Sequence, residues 1–174
     1  MTKPNHAAKS AQIAPFWEVL GERPIGFTVL TAAGDEPVGF VGLSVAHVSA
    51  DPPLLSAALG PGNKAFGPIR RSGAFAVNFL SSRDDAIART FMKKGASAAE
   101  RFRPDDWETL ATGSPTLSTA AGVFDCVVEC VVELDHAKLL VGRVVASRTG
   151  KGGAPLVFFR GGLGVMAIQR SKDA

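Results

Sequence analysis

The chain has 174 residues, 46% apolar and 20% charged, a balance that fits one folded domain around a single core and excludes a disordered chain. Its 19 basic against 16 acidic residues give a formal charge of +3 and a pI near 9.1, too even for a nucleic-acid footprint but favourable to a phosphorylated small molecule. The uncharged stretch 37–50 is short and broken by Gly39, Gly42, Ser44 and His47, so no membrane span is expected, and residues 1–20 carry no signal-peptide pattern.

Residues 11–20 place Ile13, Phe16, Trp17 and Leu20 at helical spacing, with Gly21 and Pro24 as a stop, which predicts a short helix closing an N-terminal tail over 1–23. Residues 24–170 read as one domain with no linker and no internal repeat. A β-branched and aromatic run over 25–31, a turn at 33–36 and a second run over 38–41 predict a hairpin. Pro52 and Pro53 introduce a strand over 54–59, followed by the loop 60–64 and a short helix through 69–71. Residues 75–80 are strand-like, and Ser82 is the expected N-cap of a helix carrying Ile87, Ala88 and Phe91. Residues 93–116 turn small, charged and proline-containing, which predicts a surface excursion with only Phe102 and Trp107 facing inward.

Two long valine-rich strands over 123–134 and 139–148 meet at Asp135-His136, and shorter strands over 156–159 and 165–168 close the pattern. Many short strands and few helices predict a mainly β chain, a barrel or a sandwich. Val127, Val128, Val131 and Val132 are expected to be buried, as are Phe75, Phe79, Phe158 and Phe159. Cys126 and Cys130 fall on one face of a strand, roughly 13 Å apart, beyond disulfide reach. Reduced, buried thiols predict a cytoplasmic protein.

The loop Gly60-Pro-Gly-Asn-Lys64 has the parts of an anion cradle, with glycines that let the backbone approach, an amide, a lysine and a helix start. It lacks the Gly-Lys-Ser or Gly-Lys-Thr of a nucleoside-triphosphate loop, and an ordinary turn with an exposed lysine is the competing reading. Ser44 within Gly42-Leu-Ser44-Val-Ala46 resembles a hydrolase nucleophile elbow, but Val45, Val48 and the prolines argue against the helix that motif needs. Gly161-Gly-Leu-Gly164 lies between strands and reads as a bend, not a dinucleotide fingerprint. His6, His47, His136 and the two cysteines are too scattered for a zinc set, so no metal is expected.

The stretch Gly39-Phe-Val-Gly-Leu-Ser-Val-Ala-His-Val-Ser-Ala-Asp-Pro-Pro-Leu-Leu55 resembles the flavin-reductase-like family. In that family a strand runs into a Thr-Val-Asn-Ser bend and then Val-Ser-x-Asp-Pro-Pro-Leu, and Ser44, Val48, Ser49, Asp51, Pro52, Pro53 and Leu54 match. Residues 25–31, 71–80, Asp135-His136 with 141–144, and 155–162 follow in the family's order, so the resemblance covers about residues 24–162. The bend here reads Val41-Gly-Leu-Ser44, while Leu134 and Leu163 stand where the family has a glycine and an aromatic.

The resemblance implies a split β-barrel with Greek-key connections, paired as a homodimer. It implies a flavin, FMN or FAD, reduced by NADH or NADPH and passed on to a partner monooxygenase. Carried over by position, Val41, Gly42, Leu43, Ser44 and Val45 would face the ring and ribityl chain, mainly through backbone amides, with Thr31 nearby. Ser49 would meet the ribityl chain or phosphate, Asn63, Lys64 and Ala65 the phosphate, and His136 and Arg160 the nicotinamide, with His136 orienting it. No acid–base pair stands out, because hydride transfer belongs to the cofactors. Three other functions fit the same residues: a flavin-binding electron carrier without nicotinamide oxidase activity, a non-enzymatic ligand-binding module, and a hydrolase acting through Ser44.

Overall fold

The computed structural model describes residues 16–150 and 152–167, so residues 11–15 of the expected first helix and the end of the strand expected over 165–168 lie outside the described residues. In chain order the elements are α1 (Phe16–Gly21), β1 (Ile25–Gly26), β2 (Thr28–Ala32), β3 (Val38–Val41), β4 (Ala46–Ala50), β5 (Pro53–Leu59), α2 (Phe66–Ser72) and β6 (Ala74–Phe79). They continue with α3 (Asp85–Met92), α4 (Ala98–Arg101), β7 (Trp107–Thr109), β8 (Pro115–Leu117), β9 (Gly122–Leu134), β10 (Ala137–Thr149), β11 (Leu156–Phe159) and β12 (Gly162–Val165). Among the described residues no helix is long and apolar enough to cross a membrane.

A seven-stranded antiparallel sheet runs β3-β2-β6-β9-β10-β5-β4. Its two edges, β3 and β4, are consecutive in the chain and separated only by residues 42–45. A flat sheet of that width would hold its edges about 29 Å apart, whereas the chain from Val41 to Ala46 reaches at most about 18 Å. The sheet therefore curls until its edges face each other. No ladder joins β3 to β4 among the described strands. The result is a split barrel, with the connection from β3 to β4 crossing the split in Greek-key fashion and the bend 42–45 lying across it.

The run over 25–31 divides at Phe27. This residue is 1% exposed, donates its N–H to Leu156 O (2.8 Å) and accepts from Leu80 N (3.0 Å), handing the chain from the small sheet β1-β11-β12 to the large one. One core cluster fills the barrel with Leu30, Leu59, Phe75, Val77 and Leu140. A second, with Phe27, Val29, Phe91, Leu117 and Leu156, lies under α3 and the excursion that follows it.

Several sequence expectations are corrected. Ser82 is not the N-cap of α3, whose N-cap position is Asp84; Ser81 instead caps the 3-10 turn Ser82–Asp84 that leads into it, its Oγ accepting from Arg83 N (3.3 Å) while the Asp84 carboxylate accepts from Ser81 N (2.8 Å) in a reciprocal capping box. Asp85, which would complete the box from Ser82, instead pairs with Arg89 one turn on. The excursion buries more than Phe102 and Trp107, since Ser114 and Thr116 are fully buried where β8 lies along the sheet and Leu117 N donates to Asn78 Oδ1 (2.7 Å).

The valines of β9 and Cys130 are not uniformly buried. A register shift between Val141 and Gly142 leaves Glu129 as a bulge, so Val128 and Val131 face the core while Val127, Cys130 and Val132 face out. Phe159 is also exposed, and the glycines 161–164 form a turn plus strand β12, because Arg160 and Gly161 both take positive φ (47° and 81°) and reverse the chain at once.

Candidate functional site

A cleft of about 1410 Å³ opens beside the split. Val41, Leu43 and Ser44 of the bend form one side, and Leu59 with Gly60 at the end of β5 forms the floor. The β9–β10 turn brings His136, the β11–β12 hairpin brings Phe158 and Arg160, and α1 closes the far wall with Phe16, Trp17 and Leu20. The walls are mostly hydrocarbon, as in sites for flat organic ligands, and the volume exceeds the ~300–1,000 Å³ of a single small-molecule pocket.

The bend is fixed at both ends. Gly42 donates its N–H to Thr28 O (2.9 Å) and accepts the Thr28 hydroxyl on its carbonyl, so both its backbone groups are spent. A Cβ at Gly42 would stand 2.0 Å from Leu30 Cδ1, which only glycine avoids. At the other end, Ser44 Oγ accepts from Ala58 N (2.9 Å) and donates to Ala58 O (3.2 Å), the hydroxyl standing in for a peptide group beside β5. Between these anchors the N–H groups of Leu43, Ser44 and Val45 have no partner among the described residues. Fixed donors on an apolar cleft suit an acceptor-rich ring, so the residues present fit a flavin.

The cleft gathers Val41, Leu43, Ser44, His136 and Arg160 of the residues picked from the sequence, with Gly42 and Val45 completing the bend behind them. The others do not line it. Thr31 is 1% exposed and donates its hydroxyl to Pro115 O, and Ser49 Oγ donates to Asp51 O (3.1 Å) in the β4–β5 hairpin. Asn63 Oδ1 accepts from Ala65 N (2.9 Å), folding the loop 60–65 just past Gly60, with Lys64 exposed and Ala65 buried.

Sequence reasoning missed α1 as a wall. Arg160 grips Glu22 with two bonds (Nε to Oε1, 3.0 Å; Nη2 to Oε2, 2.7 Å) and lies 5.1 Å over the Phe159 ring. Arg160 N also donates to Gly21 O (3.2 Å), stapling the end of α1 to the β11–β12 turn. The hydrogen bonds from Arg160 hold the Glu22 carboxyl below the usual carboxylate range, and Glu22 raises the guanidinium in turn. Trp17 is left 77% exposed against the cleft. The signal for it was present: Phe16 and Trp17 are adjacent, so a helix cannot bury both on one stripe.

Residues 20–167 match the family model described as flavin reductase like domain. The chain is 36% identical over 108 residues to the FMN reductase (NADH) RutF of Bradyrhizobium diazoefficiens, covering 62% of this chain and 59% of that protein. It is 31% identical over 156 residues to the reductase subunit HsaB of a flavin-dependent monooxygenase from Rhodococcus jostii, covering 89% and 78%. The chain spans 46% of one curated relative, a probable flavin reductase of Rhizobium meliloti, and 59% of the RutF protein. Among solved structures, the NADH:FAD oxidoreductase SgcE6 of Streptomyces globisporus in complex with NAD and FAD fragments superposes with a TM-score of 0.76 at 25% identity, covering 90% of this chain and 91% of that one. The curled sheet, the anchored bend and these matches lead to one assignment: this chain belongs to the flavin reductase like family.

Proposed function

We propose that the chain is an NAD(P)H-dependent flavin reductase, taking a hydride from a reduced nicotinamide onto FMN or FAD and releasing reduced flavin to a partner monooxygenase. The observation that carries this is the bend 42–45, where Leu43 and Ser44 line a cleft with room for more than one ring system and the amides of Leu43, Ser44 and Val45 have no partner among the described residues. The names of the relatives support it, since RutF is an FMN reductase using NADH and HsaB serves a flavin-dependent monooxygenase. A bound flavin would supply the hydride-accepting ring.

The chain's own part is binding and electrostatics. The amides of residues 43–45 are fixed donors for the negative charge that builds on the ring during reduction, and they need no reorganisation to act. Leu43, Leu59 and Phe158 give apolar surfaces for ring faces and keep water from the reacting atoms. His136 on the β9–β10 turn orients the nicotinamide, Arg160 is held at the same end by Glu22, and Asn63, Lys64 and Ala65 receive the phosphate. With backbone donors in place of polar side chains in the bend, the flavin is expected to exchange rather than stay bound.

The chain also acts as a homodimer in this reading. Val127, Val132 and Leu134 form an exposed apolar stripe on the outer face of β9, a surface suited to a second copy.

Absorbance spectra of the purified chain with added FMN and FAD, followed by titration with NADH and NADPH, test the reading. Bleaching of the flavin band with turnover of nicotinamide is expected. A flavin shift without nicotinamide oxidation would leave an electron carrier, and no shift with either flavin would end the proposal.

A further inference from the structure

We propose that a second groove, bounded by α3 and α4, binds a small organic carboxylate with a compact apolar body. The groove has a volume of about 330 Å³, at the lower end of small-molecule sites. Phe27, Phe40, Phe91 and Phe158 wall it, Met92 stands exposed at its rim, and among the described residues Arg101 is the one charged residue in its lining.

Arg101 is the unusual group. Its Nε is buried with no hydrogen-bond partner among the described residues, and its only side-chain bond is a long one from Nη2 to Lys93 O (3.4 Å). The guanidinium lies 5.5 Å from the Phe91 ring centroid, and no carboxylate pairs with it among the described residues. The acids nearby are committed elsewhere: Glu100 to Lys93 (2.7 Å) and to Ser97 N (2.8 Å), Asp85 to Arg89 (2.6 Å). A buried donor left unmade is costly, and native structures retain one where something else completes it.

The chemistry of that missing partner follows from the lining. A planar guanidinium matches a carboxylate fork. An inorganic phosphate or sulfate would find one cation and no hydroxyl or amide cluster, and would forfeit its hydration against phenyl rings. An apolar body on the carboxylate fills the aromatic walls instead, and the flexible thioether of Met92 adapts to its outline. Gly39 shapes the floor: a Cβ there would come within 2.8 Å of both Phe91 Cε1 and Leu30 O, so only a bare backbone lets β3 pass this close.

Val41, Leu43 and Phe158 line both the groove and the large cleft. Occupancy of one is therefore felt at the walls of the other, and any coupling is reciprocal.

Calorimetric titration of the full chain with benzoate, and with benzamide as the neutral isostere, tests the site at constant ionic strength. Saturable benzoate binding with Kd on the order of 1 mM or below is expected for so small a ligand, with benzamide at least tenfold weaker. Arg101→Met, which keeps an unbranched apolar side chain and removes the guanidinium, and Met92→Glu, which sets a competing carboxylate at the rim, are each expected to weaken benzoate at least tenfold. Met92 is exposed, so the second variant decides the matter if the first fails to fold. Equal binding of benzoate and benzamide, wild-type affinity in Met92→Glu, or no saturation would overturn the proposal. So would strict mutual exclusion of benzoate and FMN, which would make the groove part of the cleft. Failure of FMN to bind at all bears on the reductase reading alone.

Discussion

A methyl group at Gly42 would collide with Leu30 inside the barrel, and the peptide there is already locked to Thr28 on both sides. Gly42→Ala is therefore expected to destabilise the chain by about 1–3 kcal/mol, seen as a lower urea midpoint, and to displace the amides of residues 43–45, seen as weaker flavin binding. Removal of the Ser44 hydroxyl deprives Ala58 of both its partners, so Ser44→Ala is expected to lower stability together with flavin affinity; loss of affinity at unchanged stability would make the hydroxyl a direct ligand instead. The sequence pointed to Ser44 and to the bend but not to how they are used, because the bond to Ala58 depends on β5 returning beside the bend, a contact fourteen residues away.

The cysteines make the same point with a chemical readout. Burial pushes the Cys126 thiol up to about 12, with the neighbouring Asp125 charge adding to it, while Cys130 is exposed. Cys130 lies between Val127 and Val132 on the outer face of β9, so in the monomeric variant with Val127→Glu and Val132→Glu one fast-reacting thiol per chain is expected with an alkylating reagent, and a second only after denaturation. Two equally slow thiols would mean that the bulge at Glu129 is absent.

Among the elements, α1 has few means of staying in place. It buries none of its residues and is held by the Arg160 backbone bond and the Glu22–Arg160 pair. Because Arg160 lowers the Glu22 carboxyl, the paired form persists through and below the usual carboxylate range and is lost as pH falls through the lowered value. The staple is then intact at neutral pH and opens in acid, with little effect on global stability since both groups are exposed. Glu22→Gln at neutral pH is expected to copy the acid state: faster amide exchange confined to residues 16–23, weaker nicotinamide binding and an unchanged melting temperature. Exchange that spreads into β11 or β2 would assign Glu22 a structural role.

Strand placement was legible wherever alternation and turn residues agreed, as in β5, β6 and β10. The placement of β9 held too, and what failed was the facing of its residues, and the undivided run over 25–31. The bulge at Glu129 sits in a run of valines that satisfy either face, and Phe27 divides a stretch whose composition is uniformly strand-like, so neither event leaves a local trace.

For the whole molecule, chain connectivity does what no single residue could. The bend between β3 and β4 is short, and that alone requires a seven-stranded sheet to curl, because its two ends are tied across the split. The site then forms where the sheet fails to close, from parts far apart in sequence: Leu43 and Ser44, Leu59, His136 and Phe158. The same curling turns the outer face of β9 to solvent, with Val127 36%, Val132 44% and Leu134 57% exposed. An apolar stripe of this kind is what a second copy would cover, and a stable pair buries about 800 Å² on each side. Sedimentation of the wild-type chain at micromolar concentration is expected to give a dimer, and the double change Val127→Glu with Val132→Glu is expected to give a monomer of nearly unchanged thermal stability, since both side chains already meet water in the single chain. If the second subunit completes the flavin groove, the monomer also loses flavin affinity, which separates a functional dimer from one that only shields the valines. A wild-type monomer would remove the dimer from the reading, and a charged variant that still pairs would place the interface on another face.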